Sequence, residues 1–200
     1  MKGPKAALVT QAEYLEYDRT HEGRHEIVNG EIIAMAAASP EHGALVSNAH
    51  FLLRLALRDR CRAYVADLRV AIDETGLYAY PDIVIACGEQ EFAPTTPETL
   101  LNPTVLVEVL SDSTAGSDRG EKLEHYRHRA SVQAVVLIDS CAQAITVVSR
   151  NPDATWTITD AVSGMIRVPG IDVVLDVAEV YEGVRFGAAP HPAPGAVAAS

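Results

Sequence analysis

The most constraining feature of this sequence is a short apolar run that carries one carboxylate, between Pro103 and Ser111. Its β-branched and aliphatic residues, with Asn-Pro near its start and Ser-Asp-Ser-Thr at its end, predict a buried strand. Alternate residues of a strand share a face, so Glu108 is expected between Leu106 and Leu110 on an otherwise apolar face. Burying a carboxylate without compensation is strongly unfavourable. We therefore expect a cation or hydrogen-bond donors beside Glu108.

A second carboxylate stands at the start of another apolar run, residues 80–86. Proline is tolerated at a strand start, so Pro81 followed by Asp82 predicts an acid at the first position of a strand. If the two strands are neighbours in a sheet, Asp82 and Glu108 come to one point. Oxygen ligands favour a hard divalent cation, Mg²⁺ or Mn²⁺, over zinc. The sequence therefore predicts a metal site formed by these two acids.

Further motifs accompany the two acids in a fixed order. They are His25-Glu26 with Asn29-Gly30-Glu31, Met35, Ser39-Pro40 with His42, Tyr80-Pro81-Asp82, Asn102-Pro103 through Ser111, Ser113-Thr114, and Asp118 with Glu121-Lys122-Leu123 and Tyr126. The series resembles the PD-(D/E)XK nuclease core and, more closely, the Uma2-like (DUF820) restriction endonucleases, over roughly residues 10–186. The resemblance implies an α/β fold with a restriction-endonuclease-like central mixed β-sheet flanked by helices. It also implies DNA as substrate and, together with the apolar C-terminal strands, a homodimer.

The sequence departs from the nuclease pattern beside the glutamate. The pattern expects lysine two residues after Glu108, where this chain has Leu110. The resemblance implies that Lys122 supplies the displaced catalytic lysine, whereas a solvent-facing helix lysine is the alternative. The family also often reads Ser-Pro-Ser-Thr where this chain has Ser-Asp-Ser-Thr, which adds Asp112 near the site.

Two other candidates rest on the resemblance. Glu26 is implied as a further catalytic acid that completes the ligand set or removes a proton, and an exposed cross-strand residue is the alternative. His42 is expected in the first turn of a helix, where histidine is most often a capping or solvated residue, and only the resemblance makes it a site candidate.

Charge places a condition on any contact with nucleic acid. The formal net charge of −11 argues against general affinity for DNA, because phosphate contacts dominate such binding. Residues 54–69 supply a local charge of +3 through five arginines and two aspartates, namely Arg54, Arg58, Arg60, Arg62 and Arg69 against Asp59 and Asp67. This segment either follows the phosphate backbone or is a solvated helix face with its exit loop.

Local patterns predict several elements. Thr10 and Glu13 have the form of a capping box, and Asn29-Gly30 suits a type I′ hairpin turn. A helix is expected to begin at Ser39-Pro40 and to pack its apolar stripe on the sheet. One strand is expected within residues 63–72, and a helix is expected from Asp118 to about Arg129.

Length and composition set the outer limits. Two hundred residues suit one domain, and we expect this nuclease domain over residues 1–187, with a disordered Pro/Ala-rich tail over 188–200. Cys61, Cys87 and Cys141 form no evident disulfide frame, so we expect buried thiols in a reducing compartment. No run is long enough to span a membrane, and the first residues lack the apolar stretch of a signal peptide. The expected location is the cytoplasm.

These observations leave two functions open. The first is a metal-dependent endonuclease that hydrolyses DNA phosphodiester bonds, with Asp82 and Glu108 as ligands of Mg²⁺ or Mn²⁺ and with Lys122 and Glu26 as further catalytic residues. The second is a catalytically inactive nuclease-fold protein that acts as a binding or assembly module. The acidic net charge and Leu110 at the expected lysine position favour the second.

Overall fold

The computed structural model describes residues 8–35, 38–65, 68–94, 96, 98–111 and 118–186, so the tail expected over 188–200 lies outside it. The helices are α1 (Gln11–Thr20), α2 (Pro40–Leu57), α3 (Leu123–His128) and α4 (Val177–Val180), and a π-helical turn, Asp118–Lys122, leads into α3. The strands are β1 (His25–Val28), β2 (Glu31–Ala34), β3 (Cys61–Val65), β4 (Arg69–Ile72), β5 (Leu77–Ala79), β6 (Ile83–Cys87), β7 (Thr99–Leu100), β8 (Val105–Leu110), β9 (Ala134–Asp139), β10 (Ile145–Arg150), β11 (Trp156–Ala161), β12 (Met165–Val168) and β13 (Val173–Asp176).

A mixed six-stranded sheet forms the centre of the fold. Its order is β11-β10-β9-β8-β6-β3, with β8 and β9 parallel and the other neighbours antiparallel. A second sheet has the order β2-β1-β5-β4-β7, and β12 pairs with β13 as a separate hairpin. The expected α/β architecture, a central mixed sheet flanked by helices, is confirmed.

The two faces of the central sheet bury different layers. On one face, α2, the β12–β13 hairpin and α4 form a core with Val105, Val107 and Val109 of β8. On the other face, the second sheet and α3 pack against Leu106 and Leu110. This alternation follows from the two-residue period of a strand and places Glu108 on the face of the second sheet.

Helix α2 fixes one side of this arrangement. Leu45, Ala49, Leu53 and Leu57 recur every four residues and are fully buried against the sheet. Burying one such leucine contributes roughly 1.5–3 kcal/mol. Ser39 caps the helix, since its hydroxyl accepts from the N–H of His42 at 3.1 Å. The expected helix start is therefore confirmed.

Two other local predictions are confirmed. The capping box of α1 is complete, because Thr10 Oγ1 accepts from the N–H of Glu13 and the Glu13 carboxylate accepts from the N–H of Thr10. Asn29 and Gly30 both have positive φ, 51° and 78°, as a type I′ turn requires. The β1–β2 hairpin fixes the position of Glu26.

Three expectations need correction. The single strand expected within residues 63–72 is two strands, β3 and β4, which lie in different sheets. The helix expected from Asp118 begins as a π-helical turn, and its α-helical part starts at Leu123. Cys61 and Cys87 lie directly opposite each other on β3 and β6 and form a disulfide.

The disulfide changes the reading of the cysteines. Cys61 and Cys87 are 26 residues apart in the sequence, yet their Cα atoms are only 4.2 Å apart. Sequence spacing alone does not indicate this pairing. Cys141 is exposed, so it is not the buried thiol that was expected. The argument from free thiols to a reducing compartment therefore no longer holds. Among the described residues, no helix is long and apolar enough to span a membrane.

Candidate functional site

Asp82 and Glu108 come together because β6 and β8 are neighbours. The register pairs Ile83 with Val107, and its continuation by one residue puts Asp82 opposite Glu108. One oxygen of Asp82 accepts a hydrogen bond from the N–H of Val109 at 2.7 Å, which ties this carboxylate to the residue after Glu108. The two acids predicted as metal ligands are therefore adjacent across two strands.

Glu108 is buried, with an exposed fraction of 4%, and the segment around α3 supplies two polar partners to it. The hydroxyl of Tyr126 donates to Glu108 Oε1 at 2.6 Å, and Lys122 Nζ lies 3.8 Å from the same oxygen. Lys122 and Tyr126 are four residues apart, so they share a helix face. This face delivers a cation and a hydroxyl donor to the buried carboxylate.

Lys122 also binds Glu26. Its Nζ lies 3.0 Å and 2.8 Å from the two carboxylate oxygens of Glu26, and both side chains are buried. Glu26 Oε1 accepts a further hydrogen bond from the N–H of Tyr80 at 2.9 Å. Since Tyr80 lies two residues before Asp82, this bond links β1 to the chain that enters the site.

His42 lies on the solvent side of the site. The cap at Ser39 places it in the first turn of α2, and its Nε2 lies 3.2 Å from Asp82 Oδ2. The side chain of Asp82 is 20% exposed, whereas that of Glu108 is 5% exposed. Asp82 and His42 therefore form the part of the site that a substrate can reach.

The structure decides between several alternatives left by the sequence. Lys122 is 7% exposed, so it is not a solvent-facing helix lysine. Glu26 is 5% exposed, so it is not an exposed cross-strand residue. His42 contacts Asp82 and is more than a solvated helix-start residue. Leu110, at the expected lysine position, is packed in the apolar core. Asp112 lies outside the described residues.

Sequence reasoning missed two partners in this cluster. The contact of Tyr126 with Glu108 had a detectable signal, because its spacing from Lys122 already put both on one face. The N–H of Tyr80 had no such signal, since a backbone donor does not depend on the residue type.

His125 lies near this cluster and contacts Asn29 Oδ1 at 3.1 Å. Burial lowers the pKa of His125, and the positive charge of His128 lowers it further.

Arg69 was counted in the basic segment 54–69 from its position in the sequence, but the structure places its side chain elsewhere. Its guanidinium is buried and pairs with Asp18 at 2.8 Å and Glu98 at 2.7 Å. It also donates to the hydroxyls of Thr99 and Tyr80. A guanidinium that is buried and hydrogen-bonded in this way cannot contact a phosphate backbone.

The donor set fits one particular kind of metal binding. In the part of the chain that the structure describes, no group of three or more His, Cys, Asp or Glu side chains is placed to hold a metal ion. Mg²⁺ does not require such a cage, because it is commonly bound through one or two carboxylates with waters and substrate phosphates. Asp82 and Glu108, as two adjacent hard oxygen donors, match that mode.

Comparisons with known proteins show the family of this chain and several proteins that are similar to it. Residues 11–177 match the Uma2 family model, described as "Putative restriction endonuclease". Two uncharacterized proteins of Synechocystis sp. are similar: sll1609 is 34% identical, covering 76% of this chain and 87% of that protein, and slr1290 is 29% identical, covering 87% and 92%. A crystal structure described as a putative nuclease of DUF820 from Anabaena variabilis has a TM-score of 0.70 at 20% identity, covering 86% of this chain and 97% of that one. That structure shares the fold, and the match to the family model shows that this chain belongs to the Uma2 family.

Proposed function

We propose that this protein is an endonuclease that hydrolyses phosphodiester bonds of DNA with the help of Mg²⁺ or Mn²⁺. One observation carries the proposal: Asp82 lies opposite Glu108 on adjacent strands, and the ammonium of Lys122 lies 3.8 Å from Glu108. Two acids and a lysine in this relation make up the site that the PD-(D/E)XK pattern describes, although Lys122 comes from another part of the chain. Membership of the Uma2 family supports the same reaction class.

The two acids would hold the cation. Bound there, Mg²⁺ would polarise the scissile phosphate and lower the pKa of the attacking water. Tyr126 donates to Glu108 and Val109 N–H donates to Asp82, so each carboxylate is oriented before substrate arrives. His42 holds the exposed side of Asp82. These contacts reduce the reorganisation needed at the site.

Lys122 would stabilise negative charge that develops on the phosphate. An ammonium fixed in a buried site stabilises such charge far better than one in water. The carboxylate of Glu26 contacts Nζ with both oxygens and thereby fixes its position. We therefore assign Glu26 the role of positioning Lys122, in preference to the ligand or base role that the resemblance implied.

Single-turnover cleavage tests this function. Wild-type protein is incubated with plasmid, single-stranded and branched DNA in manganese buffer, and the rate on the best substrate is compared with that of Lys122→Met. Loss of one preorganised group typically lowers the rate by about 10²–10³. Lys122→Arg should not restore it, because a planar guanidinium does not replace a compact ammonium.

Arg19→Met provides the control, because it removes a positive charge from an exposed side chain that pairs with Glu16 on α1. It should cleave at the wild-type rate. Near-wild-type cleavage by Lys122→Met would show that the lysine is assigned wrongly. Binding without cleavage by the wild type on every substrate would support the alternative, a non-catalytic binding or assembly module, which the net charge of −11 also favours.

We also propose that the chain forms a homodimer through its C-terminal strands. β11 is an edge of the central sheet, and exposed apolar side chains lie on it, just after it and on the adjoining hairpin: Ile158, Val162, Met165 and Val174. Light scattering of wild type and Ile158→Lys measures the mass directly, and a monomeric wild type would contradict the proposal. A cytoplasmic location stays a prediction.

A further inference from the structure

A basic pocket of about 420 Å³ opens at the end of α2 and is separate from the carboxylate site. Arginines dominate its wall, and a single aspartate is the acid among the residues that line it. The lining residues, here called the arginine pocket, are Arg54, Arg58, Asp59, Arg60, Cys61, Arg62, Ala86, Gly88 and Gln90. Four arginines in the wall of one cavity favour an anion.

The arginines differ in what already holds them. Arg54 and Arg60 donate to backbone carbonyls, including those of Arg58, Ala56 and Ile171, which fixes their direction. The exposed guanidinium groups of Arg58 and Arg62 make no hydrogen bond or ion pair with any residue that the structure describes. Two fixed and two available cations form a preorganised anion site with capacity left for a ligand.

The backbone of Arg58 adds an independent observation. Its φ of 51° and ψ of −118° are those of the first central residue of a type II′ turn, and the N–H of Arg60 closes that turn on the carbonyl of Leu57 at 3.0 Å. Glycine is the residue that suits this position. A non-glycine residue held there costs about 1–3 kcal/mol. An arginine at a position that favours glycine, in the wall of a basic pocket, points to a role for its side chain.

The position of the pocket relates it to the carboxylate site. β6 begins beside Asp82 and ends at Cys87, and α2 likewise runs from His42 at the site to Arg58 at the pocket. The two regions lie about 16 Å apart along the five residues of β6, at roughly 3.3 Å each, and about 24 Å apart along α2 from His42 to Arg58, at about 1.5 Å per residue. Each strand of DNA carries one phosphate per about 3.4 Å of helix axis, so these distances correspond to about five to seven nucleotides.

We propose that the arginine pocket binds a phosphate group, supplied by the backbone of DNA or by a free phosphate-bearing small molecule. The DNA source rests on the proposed function, and in that case the pocket holds the duplex about five to seven nucleotides from the bond that is cut. Recognition is through charge and hydrogen bonds to the phosphate oxygens. The contact is therefore independent of base sequence.

The first arm of the test measures binding of a labelled 30-base-pair duplex in EDTA between 50 and 200 mM salt. Arg58→Gly/Arg62→Gln should weaken binding at least tenfold at the lowest salt and flatten the log–log salt slope by about one to two, since each phosphate contact contributes about 0.9. Arg19→Gln/Arg185→Gln removes the same charge from exposed positions outside the pocket and should leave both quantities at wild-type values.

The second arm measures the melting temperature in inorganic phosphate and in chloride at matched ionic strength. Wild type should melt several degrees higher in phosphate, and the pocket variant should lose this difference. A response in this arm alone identifies a free phosphate compound as the source, and a response to the duplex alone identifies DNA. The proposal is overturned if the pocket variant matches the control double variant in both arms.

Arg58→Gly separates binding from folding. Glycine relieves the backbone at this position, so the single variant should melt at or above the wild-type temperature while it loses affinity. Loss of affinity that occurs only together with a lower melting temperature would also overturn the proposal. Because neither arm requires a divalent cation or cleavage, an inactive wild type would contradict the proposed nuclease function and leave this test intact.

Discussion

Two buried ionic clusters lie on neighbouring parts of the fold and differ in how completely they are neutralised. The arginine–tyrosine cluster surrounds Arg69 with Asp18, Glu98, Thr99, Tyr14, Tyr78 and Tyr80. The carboxylate–lysine cluster comprises Glu26, Glu108, Lys122 and Tyr126, with Asp82 on the adjacent strand. Tyr80 joins them, because its hydroxyl contacts Arg69 and its N–H contacts Glu26.

The arginine–tyrosine cluster is closed. The guanidinium donates through all three nitrogens, to a carboxylate of Asp18, a carboxylate of Glu98 and hydroxyls of Thr99 and Tyr80, at distances of 2.7–3.2 Å. Three tyrosine rings lie 5.9 Å from its carbon. Such an arrangement holds α1, β4 and β5 together and has no place for a ligand.

The carboxylate–lysine cluster is different, because its described members set three carboxylates, those of Glu26, Glu108 and Asp82, against the one ammonium of Lys122, whereas Arg69 faces two carboxylates and bonds to both. Lys122 Nζ contacts both oxygens of Glu26 but lies 3.8 Å from Glu108, beyond hydrogen-bond distance. Asp82 is half-buried and faces the outside. Burial of charged groups therefore does not by itself indicate a functional site. A functional site is indicated where buried carboxylates are not fully neutralised and can still bind a cation.

The largest effect is expected for Arg69→Met. Removal of one member of a buried ion pair leaves carboxylates uncompensated and costs about 3–5 kcal/mol. Urea unfolding should show this loss, and millimolar manganese should not restore it, because a closed structural cluster has no cation site. Recovery with manganese would contradict the distinction between the two clusters.

Lys122→Met should also destabilise the fold, by about 3 kcal/mol, because Glu26 and Glu108 then lose their ammonium partner. Here manganese should restore a large part of the free energy of unfolding, since a divalent cation can replace the lost positive charge. The measurement is urea unfolding with EDTA or manganese. If manganese stabilised Lys122→Met and Arg69→Met equally, the proposed difference between the two clusters would be contradicted.

The two tyrosines allow a smaller, matched test. Tyr126→Phe removes the donor to Glu108, and Tyr80→Phe removes a hydroxyl that donates to Asp18 at 2.9 Å. Each should cost about 1.5–3 kcal/mol, as expected for hydrogen bonds to charged groups. Only Tyr126→Phe should alter the apparent affinity for manganese in melting titrations. If only Tyr80→Phe changed the affinity for manganese, the cation would bind in the arginine–tyrosine cluster and not beside Glu108.

The smallest effect concerns pH. Burial lowers the pKa of His125 from its ordinary value of 6.5, so the neutral imidazole is the form that stabilises the fold. This contribution is complete above pH 6.5 and is lost as the pH falls through the lower folded-state pKa. Urea unfolding between pH 5 and 8 should therefore show a shallower acid loss in His125→Gln. A slope equal to that of wild type would contradict this assignment.

Local features of the fold could be predicted from the sequence because their causes are local. The capping box at Thr10, the turn at Asn29-Gly30 and the start of α2 at Ser39 each depend on residues within a few positions of one another. The central mixed sheet followed from two apolar runs and a family resemblance. Glu108 was expected to need a cation or donors, and Lys122 and Tyr126 stand there.

The remaining features depend on contacts between distant segments. Cys61 and Cys87 become opposite only through the register of β3 and β6. Arg69 reads as part of a basic segment, but the separation of β3 and β4 into different sheets carries it into a buried cluster. The strained turn at Arg58 has no mark in the sequence, because the position favours glycine and holds arginine.

The central claim, that Asp82 and Glu108 bind a divalent cation, is tested most directly by melting curves with EDTA and with millimolar manganese. A ligand at one hundred times its Kd stabilises the fold by about 2.7 kcal/mol, so wild type should melt several degrees higher in manganese. Asp82→Asn/Glu108→Gln should lose this increase, and Asp160→Asn, at an exposed position on β11, should keep it. An unchanged melting temperature in wild type, or an equal increase in the double variant, would contradict the claim.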